Sequence, residues 1–179
     1  MKTKKYIRNT VISAMLFSLA LVLPFFTGQI PKIGNMLLPM HLPIMFCGIF
    51  CGPWYGLAIG AAAPLVRSLF FGLPVFYPSA IAMALECATY GFFIGLLYRA
   101  FAKVGDFSAL LALICSMLIG RAVWGCAMLT LLGLSSRTFT AAAFLSGAFV
   151  TALPGIIIQI VLIPVLTPVF KRLSEKKGK

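Results

Sequence analysis

The chain has 179 residues, of which 61% are hydrophobic and only 10% are charged, and its mean hydropathy is +1.06. A water-soluble domain of this size cannot carry so much apolar surface. The composition therefore excludes a water-soluble domain and indicates an integral membrane protein. At about 20 residues per membrane span, the length accommodates five to seven helices and leaves no segment for a soluble catalytic or nucleotide-binding domain. We therefore predict a single all-α membrane domain over residues 1–179.

The formal net charge of +12 has two interpretations. In a soluble protein it would suggest binding to nucleic acid. Here most basic residues lie in short flanks beside apolar runs, a pattern typical of membrane topology and of contact with anionic lipids. We therefore expect the lipid bilayer as a partner and no nucleic acid.

The apolar runs predict six membrane helices separated by glycine- and proline-rich loops. The first follows a basic start, MKTKKYIRNT, and no small-x-small cleavage pattern comes after it, so we interpret it as a helix and not as a signal peptide. Residues 40–72 are divided into two helices, because Gly52-Pro53 favours a turn. The predicted helices cover residues 7–27, 40–52, 54–72, 80–101, 108–134 and 140–170.

Six spans place both chain termini on one side of the membrane. Most basic residues then share that side, whereas Lys32 and Arg137 lie on the other. The positive-inside rule puts both termini in the cytoplasm. Residues 28–39, 73–79 and 135–139 become outward-facing loops.

Three ionisable residues, Arg67, Glu86 and Arg121, fall inside predicted membrane helices. Such a charge costs roughly 2.5–3.5 kcal/mol on insertion scales, so it usually faces a bundle interior and marks a substrate path. Arg67 and Glu86 are expected in the outer third, where they either pair with each other across residues 73–79 or contact a ligand. Arg121 lies near the middle of its helix with no obvious partner, and it needs a carboxylate, a phosphate or backbone carbonyls.

Aromatic neighbours add flat apolar surfaces to these charges. Trp124 is one turn from Arg121, and Tyr90 is one turn from Glu86. The outward loops contribute further polar groups. The candidate substrate-binding residues are therefore Arg121, Trp124, Glu86, Arg67, Tyr90, Tyr77, Asn35 and Lys32.

Several motifs of enzymes and ion-coupled transporters are missing from the sequence. It contains no Gly-rich phosphate loop and no His-Glu-x-x-His, and Glu86 is the only one of three acidic residues within a predicted helix. The five cysteines lie in apolar segments and are interpreted as packing residues, and His41 is the only histidine. We expect no catalytic residues, no metal and no cofactor, and a binding protein that takes its energy from a partner.

The order of these elements resembles the substrate-binding S component of energy-coupling factor (ECF) transporters. The resemblance covers nearly the whole chain, including the blocks MHLPIMFCGIFCGPWYGLAIGAAAPLVRSLFFG, YPSAIAMALECATYGFFIGLLYR and LPGIIIQIVLIP. The first of these is similar to the pattern H-x-P-x-x-x-x-G-x-x-x-G-x-x-x-G of that class. The resemblance implies a six-helix vitamin-binding subunit that associates with a membrane scaffold (T) subunit and two cytoplasmic ATPases, and that has no ATPase activity.

The resemblance also implies where ligand and partner bind. The ligand is expected in the outer half, between the last three helices and the outward loops, and a small-xxx-small face on the first helix docks on the scaffold. Here that face is Ala14 and Ser18, with serine in place of the usual second alanine.

Two buried arginines favour an anionic ligand such as pantothenate over a cationic one such as thiamine. Two other functions stay open at this point. One is a self-sufficient small oligomeric transporter or channel that uses the intramembrane charges, and the other is a structural membrane protein whose charges merely pair.

Overall fold

The computed structural model describes residues 2–27, 37–134 and 140–176, and its regular structure within these ranges is helical, without strands. The predicted all-α fold is thus confirmed. The α-helices are α1 (Lys2–Val22), α2 (His41–Phe50), α3 (Pro53–Phe71), α4 (Ile81–Ala100), α5 (Ser108–Leu134), α6 (Ala141–Leu145) and α7 (Leu153–Lys176). Short 3-10 helices cover Leu23–Thr27 and Phe101–Phe107, and π-helical turns cover Phe76–Ala80 and Ser146–Val150.

Five helical stretches of the described chain are long and apolar enough to cross a membrane, which makes this a multi-pass membrane protein. They cover Thr3–Phe26, Pro53–Phe71, Phe76–Lys103, Ser108–Leu134 and Leu153–Phe170. Helix α2 has only 10 residues. At ~1.5 Å per residue it extends about 15 Å, half of a ~30 Å hydrocarbon core. The six-span count and the side of the termini therefore stay predictions.

The chain turns sharply between α2 and α3. Gly52 has φ of 117°, a backbone conformation that side chains with a Cβ rarely adopt, and Pro53 is the first residue of α3. Proline suits a first helical position because the N–H that it lacks has no partner there. This local chemistry divides residues 40–72 into two helices.

The prediction of one continuous helix over residues 140–170 was wrong. The structure has the short α6, a π-helical turn over Ser146–Val150, a turn at residues 151–152, and then α7. Pro154 has no N–H to donate, and in a continuous α-helix its ring would clash with the carbonyl of Val150, so an α-helix cannot run through this point undisturbed. The interruption places Gly147 and Thr151 beside α5, where they line the cavity described below.

Glycines bring α4 into backbone contact with its neighbours. A Cβ added to Gly91 would overlap the carbonyl oxygen of Gly56 on α3, and one added to Gly60 would overlap the carbonyl oxygen of Cys87. The small-xxx-small repeats are therefore packing surfaces, as such spacing indicates in membrane helices. This close approach also brings the Cys87 thiol within 3.6 Å of Nε2 of His41 on α2.

The apolar core joins α2, α4, α5 and α7. Met45, Tyr90, Ile94, Leu113 and Ile163 belong to one buried cluster, and each is at most 1% exposed. This cluster fixes the rotation of α4 and α5 about their own axes. The polar side chains of α4 and α5 that lie one helical turn from this cluster consequently point at one another.

Candidate functional site

The carboxylate of Glu86 lies at the centre of a buried polar cluster. The hydroxyl of Tyr90 donates a hydrogen bond to its Oε1 across 2.7 Å, and Nη1 of Arg121 forms an ion pair with the same oxygen at 2.9 Å. Nε2 of His41 lies 4.0 Å from Oε2. Glu86 is only 2% exposed, so these groups replace the hydration that its charge requires. Three helices, α2, α4 and α5, meet at this cluster.

This geometry decides a pairing that the sequence left open, and it gives Arg121 a partner that was not obvious from the sequence. Glu86 does not pair with Arg67, and Arg121 is not without a partner, because Glu86 pairs with Arg121. The reason lies in the rotation of the helices. Glu86 faces α5, whereas Arg67 points from α3 towards the end of α1.

Arg67 has a structural environment of its own. Its guanidinium donates to the carbonyl oxygen of Leu21 across 2.8 Å and lies over the rings of Phe25 and Phe71, 5.0 and 5.6 Å from their centroids. Leu21 is in the last turn of α1, where carbonyl groups lack intrahelical partners and a cation is favourable. Arg67 therefore holds the end of α1 against α3.

A cavity of about 220 Å³ opens beside the Arg121–Glu86 pair. The two charged side chains form part of its wall, and Trp124 forms another part. The Trp124 ring is stacked on Phe144 with centroids 6.1 Å apart, and Gly147 leaves space for it. The other lining residues come from four segments of the chain: Leu38, Pro74, Ser79, Met83, Met128, Gly147 and Thr151.

Arg121 lines this cavity and keeps unused donors. It is 5% exposed, and its Nε and Nη2 have no hydrogen-bond partner in the part of the chain that the structure describes. Unpaired buried donors cost about 1–3 kcal/mol each, and more when the group is charged. An arginine in this state beside an aromatic wall is well suited to hold a small molecule with hydrogen-bond acceptors.

The family model for the substrate-specific component of ECF transporters matches residues 8–167. The chain belongs to this family. It is therefore a transporter subunit and not an enzyme, and an S component of this kind works with a small-molecule substrate and with other transporter subunits. Searches of curated proteins and of solved structures gave no match.

The cavity of this S component is lined by only some of the substrate-binding residues that were predicted from the sequence. Arg121, Glu86 and Trp124 line it, and Tyr90 lies behind it as a hydrogen-bond donor to Glu86. Tyr77 is not among the lining residues, and its hydroxyl donates to the carbonyl oxygen of Leu131, which ties residues 76–80 to α5. Lys32 and Asn35 lie outside the described residues.

Sequence reasoning missed other parts of this site. His41 was noted only as the single histidine of the sequence, although it lies beside Glu86, and its position in the H-x-P block was the available signal. Met83, Met128 and Thr151 line the cavity and had no distinguishing sequence signal.

The described residues contain no group of three His, Cys, Asp or Glu side chains that could hold a metal ion. The cysteines within them are free thiols.

The predicted docking residues Ala14 and Ser18 of the S component are both exposed on α1. The Ser18 hydroxyl bonds back to the carbonyl oxygen of Ala14 across 3.0 Å, so it is satisfied within the helix. The neighbouring Met15 and Leu19 are also exposed, at 68% and 45%. This face of α1 is therefore largely apolar and exposed.

Proposed function

We propose that this S component is the substrate-binding subunit of an ECF-type ABC importer and that it captures a small anionic micronutrient such as pantothenate. The observation that carries the proposal is the cavity lined by Arg121 and Trp124, together with the buried Nε and Nη2 of that arginine, which lack partners among the described residues. A charged donor that fixes orientation and an aromatic surface that covers apolar atoms are the usual elements of a small-molecule site.

The size of the cavity supports a compact ligand. Sites for drug-sized molecules occupy roughly 300–1,000 Å³, and this cavity measures about 220 Å³. Large vitamins that carry a nucleotide or a macrocycle do not suit this volume. A vitamin with a short apolar body and one charged end does.

The proposed orientation follows from charge. We place six spans in the bacterial cytoplasmic membrane with both termini in the cytoplasm, because the basic residues lie mainly at the ends of the chain. The ligand then enters from the outer side. The open face of α1 with Ala14 and Ser18 docks on the membrane scaffold subunit, and two cytoplasmic ATPases supply the energy.

Purification of the chain followed by native mass spectrometry tests the binding step. We expect a bound small molecule, or stabilisation by an added one, which amounts to about 2.7 kcal/mol at a hundredfold excess over the dissociation constant. A protein that carries no ligand and that no micronutrient stabilises would contradict the proposal.

Reconstitution tests the transport step. With the scaffold subunit and both ATPases in proteoliposomes, uptake should require ATP. Uptake by the chain alone would instead indicate a self-sufficient transporter.

A further inference from the structure

The nitrogens of Arg121 that have no partner within the described part of the chain are the ones left to contact a ligand. Nη1 is paired with Glu86, whereas Nε and Nη2 have no partner among the described residues. In a guanidinium group the Nε–H and one Nη2–H point in the same direction and form a planar fork. Such a fork binds the two oxygens of a carboxylate with parallel hydrogen bonds.

We propose that the substrate is a small monocarboxylate whose two carboxylate oxygens bind Nε and Nη2 of Arg121, while its body lies against Trp124. This inference rests on the proposed function, since it names the chemical class that the same cavity takes. Glu86 and Tyr90 are positioning residues in this scheme. Glu86 holds Nη1, and the Tyr90 hydroxyl orients that carboxylate. The buried edge of Nε and Nη2 is left for the ligand.

Charge balance favours one carboxylate over a phosphate or a cation. Glu86 already supplies one negative charge to the cluster, and Arg121 is the permanent cation beside it. A ligand cation would lie next to a guanidinium with no second carboxylate, since Glu86 is the acidic residue among the cavity-lining side chains. A phosphate dianion would add two negative charges next to Glu86, whereas a carboxylate adds one and matches the fork in shape.

The scheme predicts an unusual effect of removing the charge of Glu86. A glutamine at this position keeps an oxygen that accepts from Arg121 but no longer neutralises it. The guanidinium then lacks a counter-ion until a carboxylate ligand arrives. Glu86→Gln should therefore lower the stability of the ligand-free protein and raise its affinity for a carboxylate. The affinity rises about tenfold if Glu86 and the ligand carboxylate compete for Arg121 by about 1.4 kcal/mol in the wild type.

The test compares matched pairs of compounds on the purified full chain. Pantothenate, nicotinate and biotin are each measured beside an uncharged counterpart, namely panthenol, nicotinamide and biotin amide, by thermal stabilisation and calorimetry. We expect at least one carboxylate to bind about a hundredfold or more tightly than its counterpart, because the counterpart loses the negative charge and at least one of the two charge-assisted hydrogen bonds. Equal affinity within every pair that binds, or binding of none of the three carboxylates, would overturn the inference.

Two variants identify the atoms involved. Arg121→Lys keeps the charge but has no planar fork, so the preferred carboxylate should bind at least about tenfold more weakly. Glu86→Gln should bind it more tightly, which also shows that this variant folds. Unchanged binding by Arg121→Lys, or weaker binding by a Glu86→Gln protein that remains monodisperse, would exclude the proposed contact.

These results separate this inference from the proposed function. A wild-type chain that binds an uncharged or cationic micronutrient and supports ATP-dependent uptake contradicts only the carboxylate assignment. A chain that carries no ligand and supports no uptake contradicts the proposed function itself.

Discussion

Nη1 of Arg121 lies 2.9 Å from Oε1 of Glu86, and this ion pair joins α5 to α4 where both side chains are buried. A buried pair contributes little net stability, but removing one partner leaves an uncompensated charge and costs about 3–5 kcal/mol. The pair therefore links the stability of the bundle to the chemistry of the cavity.

The first prediction separates stability from binding at this pair. Arg121→Met should lower the free energy of unfolding by about 3–5 kcal/mol, because Glu86 remains buried without its cation. Adding Glu86→Gln to the same chain should restore most of that loss, since no charge is then unpaired. Both variants should fail to bind the ligand. Unfolding in detergent and ligand titration measure the two effects, and a double variant that regains binding would remove Arg121 from the site.

The second prediction concerns Arg67, the other buried arginine. Arg67→Met removes a charged hydrogen bond to the carbonyl of Leu21, which is worth about 1.5–3 kcal/mol, together with its contacts to Phe25 and Phe71. We expect a lower unfolding temperature and an unchanged ligand dissociation constant. Weakened binding in a variant that is still folded would show that Arg67 takes part in recognition after all.

The third prediction concerns the hydroxyl of Tyr90. Tyr90→Phe keeps the ring that packs beside Gly120 but removes the 2.7 Å hydrogen bond to Glu86. We expect a loss of about 1 kcal/mol in stability. Tyr55→Phe is the matched control, because its hydroxyl is 3.4 Å from Thr10 at an exposed position, and it should have no measurable effect. Equal effects of both changes would mean that the Tyr90 contact is energetically unimportant.

The fourth prediction concerns the glycine contact between α3 and α4. Gly91→Ala should impair folding, because the added Cβ overlaps backbone atoms of Gly56 that cannot move aside cheaply. Gly133→Ala on α5 is the control, since an added Cβ there meets nothing within 4 Å. That change should be neutral or stabilising by up to about 1 kcal/mol through helix propensity. Yield and monodispersity after purification measure both, and normal folding of Gly91→Ala would refute the packing role.

The fifth prediction tests docking on the scaffold subunit. Ala14→Trp or Ser18→Trp should leave ligand binding intact and abolish ATP-dependent uptake, because a large side chain blocks close approach of another helix. Ala122→Trp provides a control at a small exposed residue on α5, and it should affect neither property. Loss of binding in the α1 variants would mean that this face belongs to the substrate site. Normal uptake would mean that the scaffold docks elsewhere.

Much of the fold was predictable because its signals are local. The apolar runs identified the long helices, and Gly52-Pro53 indicated the turn between α2 and α3. The division of residues 140–170 was missed. This segment contains Pro154, Pro164 and Pro168, and hydropathy alone does not say which of them interrupts the helix.

The site was predictable in part for a similar reason. Arg121 and Glu86 stood out as charges in apolar segments, and Trp124 followed from helical spacing. Leu38, Pro74 and Thr151 lie on other segments and look ordinary in the sequence. They become lining residues only because the chain brings these segments to one end of the bundle.

The sequence by itself determined that this chain is a helical membrane protein with a few buried charges, because hydropathy, glycine spacing and isolated ionisable residues are properties of short segments. Only the tertiary structure decided that Glu86 pairs with Arg121 and that Arg67 binds the end of α1. The physical reason is that partner choice depends on how each helix is rotated against its neighbours. That rotation is set by packing among residues distant in the chain, such as Gly56 against Gly91 and Tyr90 beside Gly120.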